Sequence, residues 1–400
     1  MKKLIYLDNA ATTPVESRVF AAMKPYFSLK YGNPSEFHLL GQEARKAVEE
    51  SRRKIASFLG AKAEEIVFTS CASESINFSH KGLIEALRHF APKSFTPHII
   101  TSAIEHKAVL ETCQHLENSG LAKVTYLPVD QYGLVKVTDL EKAIQPNTIL
   151  VSIMYVNNEV GTIQPIAEIG QLLKKVNEQK TKNHQPRTYF HTDATQAIQY
   201  LDCQVEKLGV DMLSLTGHKF YAPKGIGALY IKKGTPIRKQ QDGGGQEMKL
   251  RSGTENVPYI VGLGEAIELI SEVKDGQHQK LTELRERLIT NILKIPEVYL
   301  TGHPQKRVPH IASFVIKGAE GESLILLLSD KKVIASSGSA CTSQVLQPSH
   351  VLTAMGVAAE VSHGSVRFSL GKNTTIEEID YVSQILPKII SRLREMAPQI

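Results

Sequence analysis

The sequence predicts an α/β protein in which a mostly parallel sheet, covered by helices on both faces, forms a large domain and a smaller α+β domain follows. Short apolar runs typical of buried strands alternate with helix-period segments through the first two thirds of the chain. After Gly253 the pattern changes to long helical segments separated by short β-like pieces. The 400 residues, 42% of them hydrophobic, can form a large core shared by two or three domains.

Buried strands and amphipathic helices are predicted from these patterns in chain order. The predicted strands of the large domain are 65–69, 98–101, 123–127, 148–155, 189–191 and 212–215. The predicted helices there are 42–59, 73–87, 106–119 and 166–179, and the polar stretch 177–188 is expected to be an exposed loop. The later helices are 258–293 and 376–396, with β-like pieces at 312–316 and 365–369. We expect a large domain over 15–260 and a small domain formed by 1–14 with 261–400.

Composition excludes several classes of protein. The net charge of +6 comes from 47 basic and 41 acidic residues without a long basic run, which gives no support to direct nucleic-acid binding. No apolar run approaches the roughly 20 residues that span a bilayer, and the apolar stretch after the basic N-terminus is too short for a signal peptide. The four cysteines are widely spaced, so neither a zinc site nor a disulfide framework is indicated. Reduced thiols and a cytoplasmic location are expected.

Lys219 is a candidate for covalent chemistry. Most lysines are solvated surface charges, but this one follows the predicted strand 212–215 and precedes a turn rich in glycine and proline. A lysine at a strand end can be desolvated, which lowers its pKa and makes the neutral amine available for imine formation. A pyridoxal phosphate site needs such a lysine, an anchor for the phosphate and a carboxylate for the ring nitrogen.

The phosphate and carboxylate candidates also follow predicted strands. Ala72 and Ser73 join a strand to a helix, where backbone N–H groups and a hydroxyl can bind phosphate; the alternative is a plain serine N-cap. Asp193 ends a strand, where it can hold the pyridine nitrogen protonated or, equally well, cap the next turn. Gln196 lies one turn further on and can reach the ring hydroxyl. His106 follows another strand and can stack on a planar cofactor and transfer protons, although most histidines are structural.

The ensemble of motifs resembles a known family. The motifs are Tyr6–Pro14, Glu105–Lys107, 156–159, 191–196, 217–219, 251–254 and 336–343. In order and nearly collinear, they resemble the cysteine desulfurases of the NifS/IscS-like group, which are fold-type I pyridoxal phosphate enzymes of the class V aminotransferase group. The resemblance covers the chain from Tyr6 to about Met396.

The resemblance implies a role for each site residue. Lys219 would hold the cofactor through its amine and later move the α-proton, while His106 would stack on the ring and assist. The ring would be bound by Asp193 and Gln196. The remaining cofactor contacts would come from Ala72, Ser73, Asn158, Thr216, Gly217 and His218, and from Thr254 of a second subunit, which implies a homodimer. Arg367 would bind the substrate carboxylate as a bidentate guanidinium, with Asn33 and Asn158 lining the same pocket.

Cys341 is the expected sulfur acceptor. It would attack the sulfur of L-cysteine as a thiolate, leaving a persulfide on itself and releasing L-alanine. The surrounding stretch of serines, Gly338 and Ala340 offers little to pack, which suits a segment that carries sulfur outward; a free cysteine is otherwise usually a small buried hydrophobe. The resemblance implies delivery to an iron-sulfur scaffold protein or another acceptor, including a relay for tRNA thiolation, with Cys341 as a transient ligand for iron-sulfur species and no resident metal.

The chain departs from the family pattern at several positions. Cys71 stands where relatives usually carry a glycine. A cysteine would be strained there if the position needs a positive φ; the alternative is that it is a second thiol near the site. The triad 243–245 is flanked by Asp242 and Gln246 instead of histidines, and Met248 and Lys249 replace an Arg-Gly pair. The sequence ends at Ile400, where relatives continue for roughly another helix that binds the scaffold partner. We therefore expect an altered partner or a paralogue.

Three alternatives to a cysteine desulfurase remain open at the level of sequence. A selenocysteine lyase or an aminotransferase shares the fold, but an aminotransferase has no use for Cys341. A non-catalytic sulfur-relay or scaffold protein would lack the bound cofactor. A nucleotide-binding oxidoreductase is disfavoured because Lys224–Gly227 lacks the third glycine and the downstream acidic residue of the dinucleotide fingerprint.

Overall fold

The computed structural model describes residues 4–90, 92, 95–337 and 348–396. In chain order its strands are β1 (Ile5–Tyr6), β2 (Ile66–Thr69), β3 (His98–Ser102), β4 (Lys123–Leu127), β5 (Thr148–Ser152), β6 (Tyr189–Asp193), β7 (Met212–Thr216), β8 (Gly227–Ile231), β9 (Val298–Leu300), β10 (Ile311–Ile316), β11 (Val333–Ile334) and β12 (Ser365–Ser369). Its helices are α1 (Ser17–Met23), α2 (Pro25–Ser28), α3 (Leu39–Leu59), α4 (Ala72–Phe90), α5 (Lys107–Asn118), α6 (Val137–Ala143), α7 (Ile166–Lys182), α8 (Val205–Leu208), α9 (Val257–Ile292), α10 (Gly321–Asp330), α11 (His350–Ala354), α12 (Ala359–Ser362) and α13 (Ile376–Met396).

The central sheet is mostly parallel, as predicted. Within the described part of the chain it has seven strands in the order β2-β8-β7-β6-β5-β3-β4. Only β8 runs antiparallel to its neighbours, β2 and β7. Its direction follows from the short connection after β7, because a parallel crossover needs a dozen or more residues. The sequence showed an apolar run there but not its direction.

Helices cover both faces of this sheet, which explains why its strands are almost continuously apolar. Leu215 of β7 belongs to one apolar cluster with Ile55 of α3 and Leu263 of α9. On the opposite face, Met212 of β7 belongs to a cluster with Val109 of α5. Residues of one strand thus pack against the helices on both faces of the sheet. The predicted α/β fold, with helices on both faces, is confirmed.

A further apolar cluster, separate from the two that cover the central sheet, contains residues from both ends of the chain. It includes Leu7, Phe314 of β10 and Leu386 of α13. Strand β1 pairs in parallel with β11, while β12, β10 and β9 form an antiparallel sheet. This cluster supports the division into 15–260 and 1–14 with 261–400, which stays a prediction. Helix α9 contributes to this cluster and to the cluster that contains Leu215. The expected domain boundary at residue 260 therefore falls inside one helix.

The expectation of an exposed loop over 177–188 was wrong for its first half. Helix α7 continues to Lys182, and Lys180 is 3% exposed. Its Nζ donates to the backbone oxygen of Thr148 at 2.7 Å, and burial lowers its pKa to about 8. Long polar side chains are good helix formers, and the lysine stem is apolar enough to be buried. In the described residues, no helix has the length and apolarity needed to cross a membrane.

Candidate active site

A cavity of about 400 Å³ lies at the carboxyl ends of β6 and β7. Ligands of open α/β sheets bind at this edge. The cavity is lined by most of the residues predicted from the sequence: Ala72, Ser73, His106, Asn158, Asp193, Gln196, Thr216, His218, Lys219 and Arg367. Six segments that are separate in sequence therefore meet at one place.

Four predicted residues do not line the cavity or lie outside the described residues. Asn33 is exposed, and its Oδ1 accepts a hydrogen bond from the Ser35 N–H at 3.0 Å. Thr254 is also exposed and does not line the cavity of its own chain. Gly217 is buried beside it, where an added Cβ would lie 2.8 Å from the Cβ of Ala222. Cys341 lies outside the described residues.

The amine of Lys219 is held by the N-terminal segment of the chain. Its Nζ donates to the backbone oxygens of Ala10 at 2.8 Å and Ala11 at 2.7 Å. The turn that carries it is fixed by the Thr13 N–H, which donates to the His218 oxygen at 2.8 Å. Lys219 is thus a half-buried amine in a defined position, unlike an ordinary surface lysine.

Asp193 caps a turn and also lines the cavity, so its capping role is observed and its role toward a ring nitrogen stays a prediction. Its Oδ1 accepts from the Thr195 N–H at 2.9 Å, which caps the turn after β6, and the same side chain lines the cavity. Thr195 Oγ1 is buried at the cavity without a hydrogen-bond partner in the structure. Gln196 is fixed by Nε2, which donates to the Ala10 oxygen at 2.9 Å.

His106 is both the N-cap of α5 and a wall of the cavity. Its Nδ1 accepts from the Ala108 N–H at 3.1 Å, which leaves the proton of the neutral ring on Nε2. Burial lowers the pKa of His106, and the nearby Asp193 carboxylate only partly opposes this. The ring is therefore neutral near pH 7 and has one N–H to donate.

Arg367 lines the cavity and carries one donor without a partner among the described residues. It lies on β12 and is 6% exposed. Nη1 donates to the Asn158 oxygen and Nη2 to Asp8 Oδ1, both at 2.8 Å. Its Nε is buried and has no hydrogen-bond partner among the described residues. A buried cationic donor left open in this way is suited to a carboxylate ligand.

The segment that contains Cys341 leaves and rejoins the described chain at this cavity. On one side, the Ser336 N–H donates to the Arg367 oxygen at 3.1 Å, and the Arg367 N–H donates to the Ser336 oxygen at 2.7 Å. On the other side, Ser349 Oγ donates to Glu159 Oε2 at 2.5 Å. Ser336, Ser337, Pro348 and Ser349 all line the cavity.

Sequence reasoning missed three titratable groups near the site. Burial raises the pKa of Glu159 to about 7 and that of Glu105 to about 8. His350 lines the cavity, and its Nε2 donates to the backbone oxygen of Glu105 at 2.9 Å. Glu159 and Glu105 stand inside the recognised motifs, which could have drawn attention to them, whereas nothing in the sequence near His350 signalled it.

The strain expected at Cys71 is absent. Cys71 is not among the non-glycine residues with a positive φ. The close approach lies instead on the neighbouring strand, where a Cβ at Gly227 would come within 2.9 Å of the Cys71 carbonyl carbon. A glycine is required at 227 of β8, and Cys71 is a half-buried free thiol that lines the cavity.

Comparison with known proteins gives a consistent result. Residues 5–382 match the family model described as aminotransferase class-V. The chain is 49% identical over 396 residues to cysteine desulfurase IscS of Methanosarcina thermophila, covering 99% of this chain and 94% of the relative. It is similar to a solved NifS-like protein with a TM-score of 0.89 and 40% identity, covering 98% of this chain and 100% of the other.

A second solved structure, described as SspA in complex with cysteine, has a TM-score of 0.79 and 37% identity and covers 93% of this chain and 100% of the other. The resemblance stated from the sequence motifs is therefore confirmed, as is the fold class. This chain belongs to the class-V aminotransferase family of pyridoxal phosphate enzymes and, within it, to the cysteine desulfurases.

Proposed function

We propose that this protein is a pyridoxal phosphate-dependent L-cysteine desulfurase that converts L-cysteine to L-alanine and keeps the sulfur as a persulfide on Cys341. One observation carries the proposal: the cavity lined by Lys219 and Arg367 is also lined by Ser337 and Pro348, the described residues on either side of the segment that contains Cys341. An aminotransferase would need the first two features but not the third.

The groups around the cavity fit pyridoxal phosphate. Helix α4 begins at Ala72, and its first-turn N–H groups, which lack partners within the helix, can bind the phosphate together with the hydroxyl of Ser73. Thr216 also lines the cavity, but its Oγ1 donates to the Ile226 backbone oxygen at 3.0 Å. Burial lowers the pKa of His218 to about 4, so its ring is neutral beside them. The unpaired Thr195 Oγ1 gives a further donor. Asp193 suits the ring nitrogen, Gln196 the ring hydroxyl and Lys219 the aldehyde. When bound, the cofactor supplies the electron sink for chemistry at the substrate α-carbon.

Arg367 binds the substrate carboxylate in this proposal. Its two Nη atoms are already held by Asn158 and Asp8, so the guanidinium is oriented before substrate arrives. The buried Nε then gains the acceptor that it lacks. Asn158 adds an amide close to the same end of the cavity, whereas Asn33 would need a second subunit or a different arrangement of its turn to reach it.

Proton transfer falls to Lys219 and His106. The Nζ of Lys219 removes the substrate α-proton and later returns a proton to carbon, while the Ala10 and Ala11 oxygens hold the amine in place. The Nε2–H of the neutral His106 ring is available to donate. Cys341 then attacks the substrate sulfur as a thiolate. An S–S bond forms, the C–S bond breaks with its electron pair left on carbon, and protonation of that carbon gives L-alanine.

The persulfide supplies sulfur for iron-sulfur cluster assembly through an acceptor protein and, by the same transfer, for tRNA thiolation. The relatives named cysteine desulfurase IscS support the release of sulfur from cysteine, on which both uses depend. A cytoplasmic location suits the described cysteines Cys71, Cys113 and Cys203, which form no disulfide.

A homodimer is part of the proposal. Large apolar side chains are exposed on one stretch around Asn33: Phe27, Leu29, Tyr31, Phe37 and Leu39. An exposed apolar patch of this kind is typical of an interface. The exposed Thr254 is available to a second subunit.

The test is incubation with L-cysteine, with alanine and sulfide measured in the presence and absence of a thiol reductant. The native protein should release equimolar alanine and, with reductant, sulfide. Cys341→Ala should abolish sulfide, and Lys219→Ala should abolish both products and the borohydride-sensitive absorption band. Cys203→Ala, which changes a buried thiol, serves as the control. Equal sulfide output from the native and Cys341→Ala proteins would rule out the mechanism.

A further inference from the structure

Two ion pairs tie the glycine-rich loop, residues 242–254, to neighbouring helices. One joins Glu247 to Arg52 of α3, and the other joins Arg251 to Glu74 in the first turn of α4. None of these four side chains lines the cavity. The turn they hold does line it, through Cys71, Ala72 and Ser73.

The Glu247–Arg52 pair is buried and fully hydrogen-bonded. Both residues are 5% exposed, and the carboxylate accepts from Nη1 at 2.8 Å and Nη2 at 2.9 Å. Glu247 Oε2 also accepts from the Phe68 N–H at 2.8 Å. Since β2 is an edge strand of the sheet, this N–H faces away from its partner strand and obtains its acceptor from the loop. The loop is thus attached directly to the strand that leads into the α4 turn.

The attachment holds a strained backbone. Glu247, Met248 and Lys249 have φ values of 45°, 57° and 67°, three consecutive non-glycine residues in the left-handed region. Such conformations persist only where the surrounding contacts fix them. The buried pair fixes the first of the three residues and so determines the direction in which the chain continues toward Arg251.

The Glu74–Arg251 pair completes the connection. Glu74 Oε1 accepts from Arg251 Nε at 2.9 Å, and Oε2 accepts from the Ser70 N–H at 2.6 Å. One carboxylate therefore joins the loop to the turn itself. Burial alone would raise the pKa of Glu74, but hydrogen bonds from Arg251 and Ser70 lower it below its ordinary value. The group is ionised at neutral pH, as the pair requires.

We propose that Glu74 and Arg251 are positioning residues for the cofactor phosphate. With Arg251 anchored by the loop, Glu74 holds the Ser70–Ser73 turn in the conformation in which the first N–H groups of α4 converge on the phosphate. The inference rests on the proposed function, because it needs pyridoxal phosphate as the ligand of that turn. Neither side chain touches the phosphate, so their effect is on affinity through the turn.

The experiment compares two ligands that differ only in the phosphate. Cofactor-free protein is titrated with pyridoxal phosphate and with pyridoxal, and the dissociation constants are obtained from the absorption of the bound ligand. Glu74→Gln keeps an acceptor for the Ser70 N–H and removes the ion pair, while Arg251→Met removes it from the other side. Each should raise the dissociation constant of pyridoxal phosphate about five-fold, as expected for a half-exposed charged pair, and leave that of pyridoxal within about two-fold. The dissociation constant of the double variant should not exceed that of the weaker-binding single variant, because the two single changes remove the same ion pair.

Controls separate this role from a general loss of stability. Arg287→Met removes a two-bond ion pair with Asp380 on α9 and α13, and it should change neither dissociation constant. Arg251→Lys keeps the positive charge and should recover part of the affinity. Equal losses for both ligands, or no loss for either, would overturn the inference while leaving the desulfurase proposal intact. Failure of the native protein to bind pyridoxal phosphate would overturn both.

Discussion

Arg367 donates from Nη2 to Oδ1 of Asp8 at 2.8 Å, and in the part of the chain that the structure describes the Nε of the same guanidinium has no hydrogen-bond partner. Asp8 lies between β1 and the first turn of the chain, at the opposite end of the sequence from β12. The two are held together because the Asp8 segment pairs with Ser369 at the end of β12. Asp8 therefore fixes which edge of the guanidinium faces the cavity.

Asp8→Ala should weaken substrate binding more than it slows the reaction. Loss of one charge-assisted hydrogen bond lets the guanidinium turn away, and a ten-fold rise in KM for L-cysteine corresponds to about 1.4 kcal/mol. We expect about that rise with kcat within about two-fold, and a smaller rise for Asp8→Asn, whose Oδ1 still accepts from Nη2. Steady-state kinetics of alanine formation measures both constants. Asp380→Ala, which breaks a surface ion pair with Arg287, is the control. An unchanged KM in Asp8→Ala would contradict the assigned role.

Acid pH should destabilise the protein partly through His80. This histidine is fully buried on α4, its Nδ1 donates to the Ile76 oxygen at 2.9 Å, and no described residue is a hydrogen-bond partner of its Nε2. Burial lowers its pKa to about 4 from an ordinary value of 6.5. As the pH falls, His80 is therefore protonated in the unfolded chain before it is protonated in the folded protein. Its contribution to the free energy of unfolding is complete above pH 6.5 and is lost as the pH falls to 4.

From pH 7 to pH 5 this one group should cost on the order of 2 kcal/mol of unfolding free energy. His80→Phe keeps the ring volume and cannot be protonated, so its stability should fall less over the same interval. Urea unfolding at pH 7 and pH 5 gives both differences. The exposed His115 is changed to Phe as the control, and equal pH dependence in the native and His80→Phe proteins would refute the prediction.

Much of the site could be predicted because buried strands are readable as apolar runs. Asp193 and Thr216 end two such runs, and the sheet brings strand ends to one edge. The contacts that hold the site could not be read in the same way. The oxygens of Ala10 and Ala11 receive the Lys219 amine, but a backbone carbonyl carries no sequence signal. Asp8 and Glu159 were likewise inside recognised motifs without a role that spacing could reveal.

The errors in the fold have local physical causes. The polar stretch after Asn177 looked like a loop because its residues are hydrophilic, yet Lys180 is buried and donates to two backbone oxygens. Periodicity weighs such a lysine as polar and ignores its apolar stem. The residue that needs to be small near the α4 turn is Gly227, not position 71, because the close approach is made by a neighbouring strand.

Lys249→Gly should stabilise the protein. Lys249 has a φ of 67°, the last of three consecutive left-handed residues, and glycine adopts this conformation without a Cβ clash. Relief of strain exceeds the entropy that glycine gains in the unfolded chain, so we expect a gain of about 0.5–1 kcal/mol in unfolding free energy. Thermal or urea unfolding measures it. Lys46→Gly, inside helix α3, should instead lose about 1 kcal/mol, because glycine is unfavourable in a helix. A loss of stability in Lys249→Gly would show that the strain is not relieved.

Glu105→Gln should make the protein more resistant to alkaline pH. The Glu105 carboxyl is fully buried, accepts from Ser102 Oγ at 2.6 Å and the Met154 N–H at 2.9 Å, and has its pKa raised by burial to about 8 from 4.5. Because the folded state holds its proton more tightly, this group's contribution to stability is complete below pH 4.5 and is lost as the pH rises to 8.

Between pH 6 and pH 9 the native protein should therefore lose on the order of 2–3 kcal/mol through Glu105, and Glu105→Gln should not. Glutamine can accept from the Met154 N–H through its oxygen and donate to Ser102 through its amide, so the hydrogen bonds can be kept. Urea unfolding at the two pH values gives the comparison, with Glu117→Gln on the exposed face of α5 as the control. Parallel losses of stability in the native protein and Glu105→Gln would contradict the prediction. They would mean that the Glu105 carboxyl is already ionised in the folded state at pH 6. Its buried charge would then have to be compensated by a cation that is not among its contacts.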